Sequence, residues 1–214
     1  MGGAAQNRTA SEKKSLHAQE RDREANRQRR QAFLEQLRTI PPERLIFLEE
    51  SGVTTQMTRA RGRARAGARI AEATPQGHWQ VLTTLGALGL RGIVGAMTVE
   101  SATDGDVFLA YLEHVLCPKL QVGDVVGMDN LSAHKVEGVR ELIAARGAEL
   151  LYPPPYSPDF NPIEQCWSKV KQILRTYKAR TSETLEQAVA QALAAITPDH
   201  ARGWFAHCGY GIQN

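Results

Sequence analysis

The 214-residue chain contains no apolar run approaching the roughly 18 residues that a membrane-spanning helix requires. Its opening, MGGAAQNRTASEKK, lacks the apolar core of a secretory signal. Both absences point to a cytoplasmic protein. Cysteine is scarce as well. Cys117, Cys166 and Cys208 are odd in number, widely spaced and without a C-x-x-C pair, which argues against a zinc knuckle or dithiol redox site and for reduced structural thiols. No internal repeat is present, so repeat architectures drop out.

What remains, 42% hydrophobic and 23% charged residues, is the composition of an ordinary globular protein. The net charge of +3 conceals a segregated distribution. Residues 53–71 carry Arg59, Arg61, Arg63, Arg65 and Arg69 with no acid, and residues 165–182 carry Lys169, Lys171, Arg175, Lys178 and Arg180, again with none. Those ten leave 16 of the 26 basic residues for the rest of the chain, against all 23 acids. Two basic strips on an acidic body suggest a polyanion partner, since each neutralised phosphate releases condensed counterions. An isolated strip of this length is equally consistent with a solvated charged face.

Residues 1–40 are polar, with 13–38 patterned as a charged helix of few apolar anchors, a linker or a helix needing a partner. Pro41-Pro42 closes it. From Arg44 the pattern turns to strands: RLIFLEE, then HWQVLTTLGAL and RGIVGAMTVE with glycine-marked turns. A helix is expected over 103–116, a strand ending at Asp129, a helix over about 135–146 and a strand at 148–152. After the proline-rich loop come a helix from Pro162 to about Arg180 and a helical tail over 182–207. Three opening strands followed by alternation predict an α/β fold, a mixed sheet flanked by helices. The division expected is a helical extension over 1–40, one domain over 41–208 and a tail over 209–214.

Three acids fall where an acid needs a reason. Glu49 ends the first strand, Asp129 ends the fourth, and Glu164 lies in the first turn of a helix. Strand ends on one edge of an α/β sheet are close, and an adjacent helix can bring a third carboxylate to the same point. Converging carboxylates repel unless a cation lies between them, and hard oxygen ligands of this kind suit Mg²⁺ or Mn²⁺. Two such ions about 3.5–4 Å apart can drive an in-line phosphoryl displacement. Each acid also has a plain structural reading. Asn161-Pro162 followed by Glu164 has capping-box spacing, which is the favoured reading on spacing alone. Asp129-Asn130 fits a simple turn, and Glu49 a solvated strand end.

The surrounding words decide between them. DNxxAH stands here as Asp129 through His134, and PPYSPDxNPIExxW as Pro154 through Trp167, with 34 residues between Asp129 and Glu164. Together they resemble insertion-sequence transposases of the mariner superfamily, the DDE superfamily endonucleases, over nearly the whole chain. The resemblance implies a bacterial, nucleoid-associated enzyme with a ribonuclease-H-like core that cuts transposon ends and joins them to target DNA. It implies Glu49, Asp129 and Glu164 as catalytic, metal-binding acids with two Mg²⁺ or Mn²⁺ ions, and Asn130 and His134 in support. His134 packing beneath the site as a plain hydrogen-bonded histidine is the equal alternative. Tyr156 and Ser157 are expected to be scaffold and Trp167 core.

Arg59, Arg61, Arg63 and Arg65 would project to one side of an extended segment, and Lys169, Lys171, Arg175 and Lys178 would hold DNA along the helix bearing Glu164. Such contacts position a substrate without reading its sequence. A homodimer is the expected assembly.

Two features depart from the family pattern. Its first acid is aspartate, whereas Glu49 carries one more methylene, a displacement on the order of 1 Å that can lower a rate roughly 100-fold. Glu50 is no substitute, because adjacent strand residues face opposite ways. Relatives also begin with helix-turn-helix domains, which roughly 40 residues cannot accommodate. An upstream helix-turn-helix polypeptide is therefore an expected partner. The alternative is an impaired remnant, a DNA-binding or subunit-pairing protein. A host nuclease for RNA–DNA hybrids on the same fold fits the NPIE word and the spacing less well.

Overall fold

The computed structural model describes residues 18–74, 77–100, 102–129 and 137–211. Strands β1 (Leu45–Thr54), β2 (Val81–Gly89), β3 (Gly92–Val99), β4 (Val125–Met128) and β5 (Glu149–Leu151) form one sheet in the order β3-β2-β1-β4-β5. The β1–β2 and β2–β3 pairs are antiparallel, and β1–β4 and β4–β5 are parallel. The expected mixed α/β sheet is therefore present. β1 runs four residues past the predicted RLIFLEE, because pairing with β2 continues through Val53↔Leu82 and Thr54↔Val81.

The apolar run of β1 is buried on both faces, as a central strand requires. Leu45, Phe47 and Val53 enter one apolar cluster and Ile46 and Leu48 the other. The second cluster is closed by α2 (Gly105–Tyr111), the π-helical turn Leu112–Leu116 that continues it, and α3 (Val139–Ala144). Asp104 caps α2, accepting from the Val107 N–H at 2.9 Å. The helix expected over 103–116 thus begins where its cap residue predicts, but widens after Tyr111, whose buried hydroxyl donates to the Gly95 carbonyl.

The first cluster receives α1 (Glu24–Leu37), α4 (Pro162–Tyr177), α5 (Ser182–Ala194) and α6 (Pro198–His207). α4 buries Ile163, Cys166, Trp167, Val170 and Leu174, the three-and-four spacing of an amphipathic helix. Each large side chain among them contributes about 1.5–3 kcal/mol of burial. α1 finds its partner here: Phe33 and Leu37 are buried, and Phe33 stacks on Phe160 with ring centroids 5.6 Å apart. Tyr210, in the expected tail, is buried against Phe47 and Phe205. All three cysteines are free and buried, as expected.

Trp167 is core, and its position depends on one glycine. A Cβ at Gly86 would lie 2.7 Å from the Trp167 ring, so the indole rests directly on β2. Gly86 is the cross-strand neighbour of Glu49. Gly86→Ala is expected to destabilise the fold by about 1–3 kcal/mol, measured by urea unfolding. Unchanged stability would show that the indole does not pack on this strand.

Candidate active site

The sheet register brings the acids together. On β1 the residues at 45, 47 and 53 face α4, so alternation places Glu49 on the α4 side. On β4, Val125 faces the same way, and a Cβ at Gly127 would meet the Phe47 ring at 3.0 Å. Asp129, two residues on, continues that alternation just past the strand. Because Leu48 pairs with Met128 in parallel, Asp129 leaves β4 beside Glu49, which lies midway along β1 rather than at its end. α4 crosses the same face and starts at Pro162, which presents Glu164 from its first turn. Proline at the first helical position is accommodated because that N–H has no partner within the helix.

Glu49 is half-buried, and Glu164 is exposed. Burial, the charge of Glu164, a hydrogen bond shared with Glu164 and the charge of Asp129 together push the Glu49 carboxyl up to about 8. One contact opposes them: the Asn161 amide donates from Nδ2 to Glu49 Oε2 at 2.8 Å. The two glutamates thus form a bonded pair with Asp129 within electrostatic reach. Among the described residues no three His, Cys, Asp or Glu side chains are drawn close enough to enclose an ion.

The capping reading of Glu164 fails for a physical reason. Asn161 stands at the N-cap position but makes no side-chain cap bond, because its amide is turned to Glu49. Its Oδ1 is buried without a hydrogen-bond partner. A carbonyl acceptor left open beside three carboxylates calls for a cation or a donor water, and the donor set is entirely hard oxygen. The donor chemistry of the residues present therefore suits a divalent ion, while their spacing in this structure does not enclose one. Sequence reasoning missed Asn161 as the partner of Glu49. Its spacing to Glu164 matched a capping box, and nothing local could show that a strand residue 112 positions away competes for the amide.

Asn130 and His134 lie outside the described residues. Ser157 is scaffold, buried with its hydroxyl donating to the Pro155 carbonyl. Tyr156 is half-exposed, with φ at +58°. The arginines at 59–65 stand on a loop without regular secondary structure. The loop turns at Arg65, where the Ala68 N–H meets the Arg65 carbonyl, and Gly62 lies against Ile70 on the return.

The loop is moored to the end of α4. Arg59 donates to Thr176 Oγ1 at 2.8 Å, Lys178 pairs with Glu72, and Arg180 donates to the Thr55 carbonyl at 2.8 Å. Lys178 ends the helix in a left-handed conformation and turns toward the loop. Glu164, Lys171 and Arg175 share a stripe of α4, with Arg175 about 16 Å from Glu164 at 1.5 Å per residue. A groove of about 410 Å³ lies between Arg59, Arg61, Thr176 and Lys178. A larger concavity, about 910 Å³, lies at the other end of the sheet near Arg44 and Asp124 and contains none of the three acids.

The family model described as DDE superfamily endonuclease matches residues 44–186, about two thirds of the chain. The chain belongs to the DDE superfamily endonucleases. No curated protein matches it in sequence. Among solved structures, this DDE endonuclease superposes on the Mos1 transposase paired-end complex with left transposon end at a TM-score of 0.76 and 13% identity. That match covers 94% of this chain and 64% of the other, so the chain spans under two thirds of that transposase. The Mos1 paired-end complex with Mg gives 0.73 at 14% identity, covering 94% and 64%. The catalytic domain of Mos1 mariner transposase gives 0.63 at 14% identity, covering 90% of this chain and 91% of that one. At these identities the likeness shows the fold, the ribonuclease-H-like mixed sheet.

The Glu49 proton sets a pH dependence. A free glutamate ionises near 4.5, whereas Glu49 in the fold keeps its proton up to about 8. Its contribution to stability is complete below pH 4.5 and is lost as pH rises through 8. The melting temperature of metal-free protein, relative to Glu49→Gln, is expected to fall between pH 5 and 8 and to level off above. Parallel curves for the two proteins would contradict the carboxylate pair.

Proposed function

We propose that this chain is the catalytic part of a mariner-type DNA transposase, cleaving phosphodiesters at transposon ends and joining the freed 3′-hydroxyl to target DNA. The observation that carries this reading is the electrostatic and hydrogen-bond linkage of Glu49, midway along β1, with Asp129 just past β4 and Glu164 at the start of α4, in a chain of the DDE endonuclease family. These three acids would hold Mg²⁺ or Mn²⁺, as two ions. The metal would activate the attacking water or hydroxyl and offset charge on the leaving oxygen.

The chain's own residues do the rest. Asn161 holds the Glu49 carboxylate toward Glu164, and Glu49 gives up its proton as the site is loaded. Lys171 and Arg175 lead along α4 from Glu164 toward Arg59, Arg61, Arg63 and Arg65, and Lys169 adds charge from another face of the helix. The roughly 16 Å between Glu164 and Arg175 spans about five base steps at 3.4 Å each. Phosphate contacts along this path fix the strand's register over the acids. Asn130 and His134, from the DNxxAH word, are assigned a supporting role beside Asp129. A second copy of the chain would engage the second transposon end, in a bacterial nucleoid. End recognition is assigned to a helix-turn-helix module, in a partner polypeptide or elsewhere in the same protein.

A second reading, a DNA-binding or subunit-pairing protein of impaired activity, is favoured by Glu49 in place of aspartate and by the open spacing of the acids. Plasmid nicking distinguishes the two. Nicking that requires Mn²⁺ and falls at least 100-fold in Asp129→Ala is expected, and nicking that survives that change would sink the proposal. Glu49→Asp withdraws the carboxylate from Asn161 and is expected to lower nicking roughly 100-fold. A gain instead would favour the impaired reading.

A further inference from the structure

The turn that leads into α4 is held from outside the region matched by the family model. Pro158–Phe160 form a single 3-10 turn directly before Asn161. Arg30, on α1, lays its fork on Asp159, with Nη1–Oδ1 at 3.0 Å and Nη2–Oδ2 at 2.7 Å. Arg21 adds an ion pair to the same carboxylate at 3.3 Å. The Arg30 guanidinium also sits 4.1 Å from the centroid of the Phe160 ring, on which Phe33 stacks. From the chain's other end, the Tyr210 hydroxyl donates to the Phe160 carbonyl. Arg21, Arg30 and Phe33 precede residue 44 and Tyr210 follows 186, so none belongs to the matched family region.

A bidentate fork fixes direction as well as distance. The Arg30 side chain is only 11% exposed, although Asp159 is 39% exposed, so solvent screens the pair from the carboxylate side alone. Burial alone would raise the Asp159 carboxyl, yet the hydrogen bond and charge of Arg30, with Arg21, hold it below the usual range. These contacts converge on the two residues next to Asn161, whose amide grips Glu49.

We propose that Arg30 is a positioning residue: acting through Asp159 and Phe160 it sets Asn161 on Glu49, so that α1 tunes the divalent-ion affinity of the carboxylate site. This deepens the function assigned above and depends on it for the ion. The test uses the full chain, with Mn²⁺ binding followed by electron paramagnetic resonance and the Asn161 side-chain amide by NMR. Arg30→Ala is expected to weaken Mn²⁺ binding about tenfold and to shift the Asn161 amide signals. Arg30→Lys keeps the charge but not the fork, folds if the alanine variant does not, and is expected to fall between. Native affinity and unmoved Asn161 signals in the folded variants, with only the melting temperature lowered, would overturn the proposal. If the native chain binds no Mn²⁺, the functional reading fails and the Asn161 signals decide alone: movement in Arg30→Lys supports the clamp, and stationary signals refute it.

Discussion

Three carboxylates brought to one corner of a protein repel one another, and the fold must supply something to offset that repulsion. Without a cation the offset is a proton on Glu49, hydrogen-bonded to Glu164, and an amide from Asn161. The proton is the weaker arrangement, because holding it opposes the ordinary tendency of a carboxyl to ionise at neutral pH. A divalent ion would relieve all three charges together and would also take up the open Asn161 oxygen.

The rest of the architecture follows from keeping that corner rigid. The central strand, buried on both faces, fixes Glu49, and parallel pairing puts Asp129 beside it. Trp167 seats α4 on the bare backbone of Gly86, across from Glu49. The helix that carries Glu164 is therefore anchored a single turn from the residue it carries. The same helix runs on to Thr176, where Arg59 moors the arginine loop, so one rigid element joins the acids to the basic surface.

Much of this was legible in the residues. The apolar run RLIFLEE marks β1 and the Asn161-Pro162 pair marks the start of α4, because strand runs and helix starts are set locally, although β1 continues past Glu49 to Thr54. The local words also mark Trp167 as core. What could not be read were contacts between distant segments. Asn161 looked like a cap until Glu49 claimed its amide, and the polar stretch before Pro41 concealed that Arg30 and Phe33 dock on Asp159 and Phe160. Period-two spacing of the arginines said nothing of the loop's return through Arg65 and Ala68 or of its mooring at Thr176. Tyr156 carries a backbone conformation that no composition rule assigns to tyrosine.

The central claim is that these three acids form one divalent-ion site. The most direct measurement is an anomalous difference map from crystals grown with Mn²⁺. A peak bounded by Glu49, Asp129 and Glu164, with the Asn161 oxygen facing it, is the expected result. Manganese bound elsewhere, with Glu49 and Glu164 still paired through their proton, would contradict it.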